Sequence, residues 1–475
     1  MMLKSTPITL LFLFFFSGHA FSSASFQMHF ELLHRHSPKL DQNTWPKTKI
    51  TQQERFKDLL QRDGIRQKVI LHKLTLRRKA WDRETPTPSN ASGSAVSVEM
   101  EIHSGADYGI GEYFVEFKVG TPSQKFMLIA DTGSDLTWMN CKYRRSDTMR
   151  RRLHHGRVFH AERSSSFKTV PCLSEMCKVE LMNLFSLARC PTPLTPCAYD
   201  FRYFDGSAAL GIFANETITV GLTNGRKTRL HDVLIGCSES FRGQSFQGAD
   251  GVLGLGFSKY SFSFKAAKTF GGIFSYCLVD HLSHKNVSNY LTFGSNDPKN
   301  KPNGMQFTKL VLGVLTPFYA VNIIGISVGA KMLEIPAAVW DVNGVGGTIL
   351  DSGTSLTFLA VPAYIPVMSA LKESLVKFKK LEVDIGPLKY CFNSTGFEES
   401  VVPKLRFHFT DEAKLEPPVK SYVIDAADGV KCLGFVSTAW PGVSVIGNIM
   451  QQNHLWEFDL VQSNLGFYPS TCTLN

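Results

Sequence analysis

The chain has 475 residues, enough for two or three domain-sized units. It is 43% hydrophobic and 12% aromatic with 37 Gly, which suits a large β-rich globular protein with many tight turns. The net charge is +10, but residues 25–100 hold 14 Lys/Arg against 8 Asp/Glu and residues 142–163 hold 8 against 2, so each carries +6. The remaining body is therefore near neutral or acidic, which excludes a uniformly basic protein.

Residues 1–24 have the pattern of a secretory signal peptide. Lys4 supplies a positive charge, an apolar core runs from Leu10 to Phe16, and small residues at Ala20 and Ala24 offer two cleavage sites. The apolar stretch is too short to span a bilayer, and no other segment has the length to do so. The sequence thus predicts a secreted protein without a membrane anchor, located in the extracellular space (the apoplast of a plant) or alternatively in a vacuole.

Residues 25–105 differ from the rest because they contain no cysteine. Residues 52–79 have the periodicity of a basic amphipathic helix, with apolar points at Phe56, Leu59, Leu60, Val69, Ile70, Leu71 and Leu74. Residues 84–97, rich in Pro, Ser, Thr and Ala, predict a linker. A basic helical segment between signal and body indicates a propeptide, since about 60 such residues can hardly build a core of their own.

The body begins near Tyr108 and contains a duplicated motif. An alternating strand from Tyr113 to Val119 precedes an apolar run that ends at Asp131, and residues 131–138 read Asp-Thr-Gly-Ser-Asp-Leu-Thr-Trp. A similar run ends at Asp351, where residues 351–358 read Asp-Ser-Gly-Thr-Ser-Leu-Thr-Phe. A lone Asp-Thr-Gly is an ordinary turn, but two copies with matched flanks predict two half-structures that bring their carboxylates together.

The remaining motifs are weaker. Strand-like residues 199–201 and 217–220 predict a β-hairpin with Asp205-Gly206 at its tip, and Tyr203 beside it is a packing residue or a substrate contact. Gly254 and Gly447 follow the two Asp residues in apolar segments that suit close backbone approach. Neither segment has the spacing of a nucleotide loop or of a serine-hydrolase elbow.

Ten cysteines on a secreted chain indicate disulfides. They are Cys141, Cys172, Cys177, Cys190, Cys197, Cys237, Cys277, Cys391, Cys432 and Cys472. A metal site built from the four cysteines at 172–197 is the alternative, but their spacing is loose for zinc, so no metal and no cofactor is expected. Candidate glycosylation sequons lie at Asn90, Asn215, Asn286 and Asn393.

The two Asp motifs resemble the active-site loops of the pepsin-type aspartic proteases. The Cys-rich, basic region between Cys141 and Cys197 and the Phe30–Pro38 stretch further resemble the plant nepenthesin-like group. The resemblance implies a mostly β, bilobal pepsin-like fold with a cysteine-rich insertion in the N-terminal lobe. It implies a signal peptide at 1–24, a propeptide and linker at 25–105, an N-terminal lobe at 106–295 and a C-terminal lobe at 296–475.

The resemblance also implies roles for individual residues. Asp131 and Asp351 are the catalytic pair, and Tyr203 is the substrate-contacting tyrosine of a flap backed by Trp138. The supporting positions of the active site are Thr132, Gly133, Ser134, Ser352, Gly353 and Thr354. The disulfide pairing carried over from the family is Cys141–Cys237, Cys172–Cys197, Cys177–Cys190, Cys277–Cys472 and Cys391–Cys432.

Two carboxylates that face each other closely share one proton, because two negative charges so near each other repel. The ionised carboxylate can then take a proton from a water molecule while the protonated one gives its proton to a peptide carbonyl. The expected function is therefore a secreted, monomeric acid endopeptidase that acts on protein or peptide substrates. One alternative is a catalytically idle binding or inhibitor protein with the same fold. Another is polyanion binding by the 142–163 cluster, although secretion makes nucleic acid an unsuitable partner.

The propeptide is expected to act as the chain's own inhibitor. A Lys or Arg from residues 25–100 can pair with the negatively charged carboxylates at neutral pH and lose its partner when acid protonates them. Candidates for that residue are Arg35 and the Arg77-Arg-Lys79 cluster. Release by cleavage between Arg83 and Tyr108, within the exposed linker, would follow.

Overall fold

The computed structural model describes residues 27–34, 113–143, 157–182, 188–202, 208–242, 249–279, 289–294 and 302–472, together with most positions between 51 and 71. Several predicted features lie outside these residues. They are the signal peptide, the linker, most of the basic cluster, Arg35, Arg77–Lys79, Asn90, Asn286 and Tyr203. The described chain is built mainly from strands.

Apolar strands form the N-terminal lobe. Its strands are β1 (Met28–His34), β2 (Tyr113–Val119), β3 (Gln124–Asp131), β4 (Thr137–Lys142), β5 (Phe159–His160), β6 (Lys168–Thr169), β7 (Ala188–Arg189), β8 (Ala198–Arg202), β9 (Ala208–Gly221), β10 (Lys227–Arg242), β11 (Gly251–Gly254), β12 (Ile273–Cys277) and β13 (Asn289–Phe293). Helix α1 (Phe262–Phe270) is capped by the Ser261 side chain, which accepts a hydrogen bond from the Phe264 backbone N–H.

The C-terminal lobe repeats this plan. Its strands are β14 (Gln306–Val311), β15 (Tyr319–Val321), β16 (Ile323–Val328), β17 (Lys331–Met332), β18 (Thr348–Asp351), β19 (Thr357–Ala360), β20 (Lys380–Leu381), β21 (Cys391–Asn393), β22 (Leu405–Phe409), β23 (Lys414–Leu415), β24 (Val423–Ala427), β25 (Val430–Leu433), β26 (Phe435–Thr438), β27 (Ser444–Gly447), β28 (His454–Asp459) and β29 (Asn464–Pro469). Its helices are α2 (Val361–Ser374) and α3 (Asn448–Gln451), and α3 is one short turn.

Strand β2 shows how burial departs from simple alternation. Tyr113, Val115, Phe117 and Val119 are buried as their spacing predicts, and Glu116 is exposed. Phe114 is also buried, because it packs with Ile129 and Ala249 on the opposite face. The start of this strand is therefore covered on both sides rather than half-buried.

One antiparallel sheet links the lobes. Its strand order is β1, β13, β12, β28, β29, β14, with each neighbour paired in register. Strand β1 also pairs with β2, and its Phe30 ring lies 6.2–6.3 Å from the rings of Phe117, Phe262 and Phe293. The segment expected to be a propeptide thus contributes a buried strand to the body.

The second part of that segment is helical. The described residues between 53 and 71 adopt helical conformation, and Phe56, Leu59, Leu60 and Ile70 are buried. These four side chains join a cluster of apolar residues from the C-terminal lobe, including Leu356, Ile385 and Val443. The prediction of an amphipathic helix is correct over this part, and its apolar face lies against the body.

Five disulfides account for all ten cysteines. Three pairs match the prediction, namely Cys141–Cys237, Cys277–Cys472 and Cys391–Cys432. The other two predicted pairs are wrong in the structure, which joins Cys172 to Cys190 and Cys177 to Cys197.

The backbone explains this exchange of partners in the insertion. The Cys197 N–H donates to the Val170 carbonyl, so Cys197 lies opposite Val170 rather than opposite Cys172. Cys177, on a helical turn, comes to a Cα–Cα distance of 5.8 Å from Cys197 instead. Spacing alone does not distinguish such pairings within one cluster of four cysteines.

Candidate active site

Asp131 and Asp351 end matched strands. Asp131 is the last residue of β3 and pairs in register with Gly254 of the parallel strand β11. Asp351 is the last residue of β18 and pairs in the same way with Gly447 of β27. Both carboxylates are fully buried. The duplication seen in the sequence is therefore a repeated strand arrangement in which each strand ends on a carboxylate.

The glycines beside these strands leave room for the Asp loops. A Cβ on Gly254 would lie 2.8 Å from the Leu136 carbonyl carbon, and one on Gly447 would lie 2.1 Å from the Leu356 carbonyl oxygen. Close backbone approach was predicted at both positions, and no side chain fits at either without displacing backbone.

The two Asp loops are hydrogen-bonded to each other. The Thr132 N–H donates to Ser352 Oγ at 3.1 Å, and the Ser352 N–H donates to Thr132 Oγ1 at 2.9 Å. Ser352 Oγ in turn donates to the Ala130 carbonyl at 3.1 Å. These reciprocal bonds fix the loops, and hence the two carboxylates, at one separation.

Each carboxylate has the same two donors from its own loop. Gly133 N–H donates to Asp131 Oδ1 at 2.9 Å and Gly353 N–H to Asp351 Oδ1 at 3.1 Å. Ser134 Oγ donates to Asp131 Oδ2, and Thr354 Oγ1 donates to Asp351 Oδ2 at 2.6 Å. These bonds hold the carboxylate planes and leave their facing edges available to a third group.

The two glycines also keep the space between the loops narrow. A Cβ on Gly353 would lie 2.5 Å from Asp131 Oδ1, and one on Gly133 would lie 3.0 Å from Asp351 Oδ1. Each Asp therefore lies so close to the glycine of the opposite loop that no side chain fits between them.

Arg66, from the helical segment between 53 and 71, lies between the two carboxylates. Its Nη1 and Nη2 donate to Asp131 Oδ2 and Oδ1 at 2.9 and 2.6 Å. Its Nε and Nη2 donate to Asp351 Oδ2 and Oδ1 at 2.9 and 2.8 Å. The guanidinium fork thus binds both carboxylates bidentately, the geometry for which Arg is suited and Lys is not.

Arg66 is 1% exposed. Burial by itself lowers the pKa of its guanidinium, but the facing charges of Asp131 and Asp351, with their hydrogen bonds, raise that pKa above its ordinary value. The guanidinium therefore keeps its charge while it is bound between the two carboxylates. Tyr276 is also buried, and its burial, with the charge of Asp351, raises the pKa of its phenol well above the usual range.

Asp63, one helical turn before Arg66, makes a second polar anchor. Its Oδ1 accepts the Ser355 N–H at 2.7 Å and its Oδ2 accepts the Leu356 N–H at 2.5 Å, just after the second Asp loop. Leu60 and Leu71 contact the C-terminal lobe at Gly386 and Gly442. The helical segment therefore lies across the site and closes it.

Sequence reasoning missed Arg66 and Asp63. Both occupy the buried face that also carries Phe56, Leu59 and Ile70, at helical spacings of three and four residues. Charged residues at the spacing of the apolar positions were the available signal, because a buried charge needs a partner. Arg35 and Arg77–Lys79, the residues predicted for this role, lie outside the described part of the chain.

Trp138 and the predicted β-hairpin lie in the N-terminal lobe. Trp138 is fully buried in a cluster with Leu136, Tyr199 and Phe213. Strands β8 and β9 pair antiparallel from Ala198↔Ile212 to Arg202↔Ala208, so the predicted hairpin is present, while Tyr203 and the predicted tip lie outside the described residues. Asn393 is exposed and Asn215 is half-buried within β9. Among the described residues, no group of His, Cys, Asp and Glu could hold a metal ion.

The strand architecture and the paired Asp loops define a pepsin-like, two-lobed aspartic protease fold, and comparisons with known proteins agree. Residues 113–295 match the family described as "Xylanase inhibitor N-terminal" and residues 318–469 the family described as "Xylanase inhibitor C-terminal". Soybean basic 7S globulin superposes with a TM-score of 0.60 at 19% identity, over 77% of this chain and 92% of that one. Conglutin gamma from lupine seeds gives 0.59 at 20% identity, over 75% and 91%. The predicted fold class is confirmed.

Curated relatives narrow the family. "Aspartyl protease family protein 2" from Arabidopsis thaliana is 34% identical over 435 residues, 89% of this chain and 82% of the relative. "Aspartic proteinase nepenthesin-2" from Nepenthes gracilis is 30% identical over 383 residues, 80% of this chain and 81% of the relative. The chain belongs to the plant nepenthesin-like group of pepsin-type aspartic proteases. No helix among the described residues is long and apolar enough to cross a membrane.

Proposed function

We propose that the protein is a secreted acid endopeptidase that hydrolyses peptide bonds with a water molecule held between Asp131 and Asp351. The observation that carries this proposal is the matched support of the two carboxylates, each with one backbone N–H and one hydroxyl donor from its own loop. Relatives named as aspartic proteases support the same reaction class.

The chemistry needs no group beyond the two carboxylates and water. With one proton shared between them, the ionised carboxylate takes a proton from the water and the protonated one gives its proton to the carbonyl oxygen of the peptide. The water oxygen bonds to the carbonyl carbon to give a tetrahedral diol. The diol then collapses and its C–N bond breaks. The amine nitrogen takes a proton from the carboxylate that had accepted one from water, and one diol hydroxyl returns a proton to the other carboxylate. The products are a carboxylic acid and an amine.

The second candidate is an idle protein that uses the same fold to bind a partner. The families matched by the two lobes are described as "Xylanase inhibitor N-terminal" and "Xylanase inhibitor C-terminal". The intact pair of Asp loops favours the endopeptidase, because an idle protein has no need of two buried carboxylates with matched donors.

The deciding experiment is acid hydrolysis by the purified full-length protein. Wild type should cleave a fluorogenic peptide between about pH 3 and 5 and be inhibited by a statine-containing peptide, whose hydroxyl takes the place of the attacking water. Asp131→Asn and Asp351→Asn should each lose at least about 10²-fold in turnover, since either carboxylate alone lacks its acid or base partner. Normal turnover by either variant, or none by wild type, would overturn the assignment.

We further propose that residues 25–105 are a propeptide that keeps the protein latent through Arg66. The four hydrogen bonds of Arg66 occupy the edges of both carboxylates on which water and substrate would have to bind. In acid the carboxylates take up protons and lose their attraction for the guanidinium, while Arg66 keeps its charge. The helical segment then releases, and the chain is cut between Arg83 and Tyr108.

A further inference from the structure

One amide lies among apolar side chains on the buried face of the helical segment. Leu60, Gln67 and Leu71 follow each other at spacings of seven and four residues, so they lie along one side of the helix. Leu60 contacts Gly386 and Leu71 contacts Gly442, both in the C-terminal lobe. Gln67 is 6% exposed, against 5% for Leu60. An amide therefore occupies a position that its neighbours on this side fill with leucine.

The Gln67 amide is buried without hydrogen bonds. Among the described residues, neither its Oε1 nor its Nε2 has a partner. Asp63 and Arg66 are buried on the same helix but differ from it, because their side chains bind groups of the lobes. Burying an amide without a partner is unfavourable, so Gln67 does not stabilise the contact in which it lies.

This cost falls on the closed state alone. When the helical segment leaves the site, the amide returns to water and recovers its hydrogen bonds. An unpartnered buried amide therefore lowers the equilibrium constant for closing about 10- to 100-fold relative to an apolar side chain of similar size. The apolar contacts of the segment, together with Arg66 and Asp63, form a closed state that Gln67 makes weaker.

We propose that Gln67 sets the pH at which the site opens, by weakening a closed state that would otherwise persist to lower pH. Arg66 and Asp63 make opening depend on pH, because their contacts involve carboxylates that take up protons. Gln67 has no charge at any pH, so it moves the midpoint of opening without changing its steepness. This inference rests on the propeptide role proposed for residues 25–105, and not on the reaction that the open site performs.

Charged groups near this side of the helix bear on the test. They are Arg62, Asp63, Arg66 and Lys68 on the helical segment, Asp131 and Asp351 on the two Asp loops, and the exposed Asp384 and Lys389 on either side of Gly386. None of these groups is hydrogen-bonded to the Gln67 side chain. All of them are the same in the variants below, so a change in the midpoint reports the side chain at position 67.

Gln67→Met removes the amide and keeps the length of the side chain. Opening takes up about two protons, one shared by the Asp131–Asp351 pair and one on Asp63, so a tenfold change in the closing constant equals about half a pH unit. The midpoint should therefore move downward by about 0.5–1 pH unit with the same steepness, because a stronger closed state persists further into acid. The measurement is hydrogen exchange of the backbone amides of residues 59–71 in full-length protein, corrected for its intrinsic pH dependence.

Gln67→Glu should change the midpoint in the opposite direction. The variant keeps the shape of the side chain but adds a charge that the closed state buries, so the midpoint should move upward. Gln61→Met is the matched control, because it makes the same substitution at an exposed position of the same helical segment, and its midpoint should match wild type. Acid turnover per site titrated with a statine-containing peptide should be equal in all variants, since the segment has then left the site.

The outcomes separate this inference from the proposals beside it. An unchanged or raised midpoint in Gln67→Met overturns the inference and leaves the propeptide role intact. An equal downward shift in Gln61→Met also overturns it, since helix stability rather than burial would then explain the effect. An open site in wild type at pH 7 overturns the propeptide role and the inference together. Absence of turnover by opened wild type overturns the endopeptidase assignment alone, because hydrogen exchange is measured without catalysis.

Discussion

Replacing Arg66 with methionine tests the closed state most directly. The change keeps a long, unbranched side chain on the buried helix face but removes a guanidinium that makes four hydrogen bonds of 2.6–2.9 Å to two buried carboxylates. Removing one partner of a buried ion pair costs about 3–5 kcal/mol, because the remaining charge is left without compensation. The closed state should lose about that amount relative to the open one.

This loss converts into a shift of the activation pH. One pH unit is worth about 1.4 kcal/mol for each proton taken up. Opening that couples to two protons, one shared by the Asp131–Asp351 pair and one on Asp63, therefore changes by about 2.7 kcal/mol per unit. The sign follows from the groups that titrate: Arg66 stays charged, the closed state binds fewer protons than the open one, and it is favoured at higher pH. Weakening it by 3–5 kcal/mol moves the midpoint of activation upward by about 1–2 units.

The assay follows two signals in full-length protein against pH. One is binding of a fluorescent statine-containing peptide, which reports the open cleft, and the other is sequencing of any new N-terminus. Lys68→Met is the matched control, because it removes the same charge from an exposed position two residues further along the same helical segment. Equal activation midpoints for the Arg66 and Lys68 variants, or an open cleft in wild type at pH 7, would refute the latency argument.

The remaining predictions concern the loops, the anchor strand and the disulfides. Gly353→Ala should abolish turnover while the protein still folds, since the added methyl would lie 2.5 Å from Asp131 Oδ1; a Michaelis–Menten measurement with near wild-type kcat would contradict this. Phe30→Ala should lower the free energy of unfolding of full-length protein by about 3–5 kcal/mol in denaturant titration, because Phe30 packs against three rings beneath β1; a change under 1 kcal/mol would show that β1 is not an anchor. Non-reducing peptide mapping should recover Cys172–Cys190 and Cys177–Cys197 with no free thiol, and recovery of Cys172–Cys197 would restore the family pairing.

The sequence predicted what depends on local pattern and on duplication. Asp131 and Asp351 could be found because each ends an apolar run and turns through glycine, and the repeat linked two sites 220 residues apart. The close approach at Gly254 and Gly447 followed from the same pattern. Strand β1 was not predicted to enter the body, because whether a seven-residue stretch of mixed apolar and polar residues joins a distant sheet depends on partners such as β13 that lie far away in the chain.

Arg66 shows where pattern reasoning stopped. The helix was predicted from its apolar points, and a Lys or Arg between residues 25 and 100 was predicted to bind the carboxylates, but the candidates named were Arg35 and the Arg77–Lys79 cluster. Arg66 binds the carboxylates because of its position on the buried helix face, not because other basic residues lie beside it. A charged residue at an apolar position of the helical repeat was therefore better evidence than a cluster of three basic residues.

Asp63 and Arg66 together explain how one helix can close the site firmly and still release it. Arg66 is held by carboxylates that must accept a proton before catalysis begins, so protonation both weakens the closed state and prepares the pair for reaction. Asp63 binds backbone N–H groups of Ser355 and Leu356, and protonation of its own carboxylate removes an acceptor from that contact as well. Both polar anchors therefore weaken as pH falls, while the apolar contacts of Phe56, Leu59, Leu60 and Ile70 do not. Asp63→Asn, which keeps one carbonyl acceptor but cannot lose a charge, should for this reason broaden the activation transition, whereas Arg66→Met should shift its midpoint.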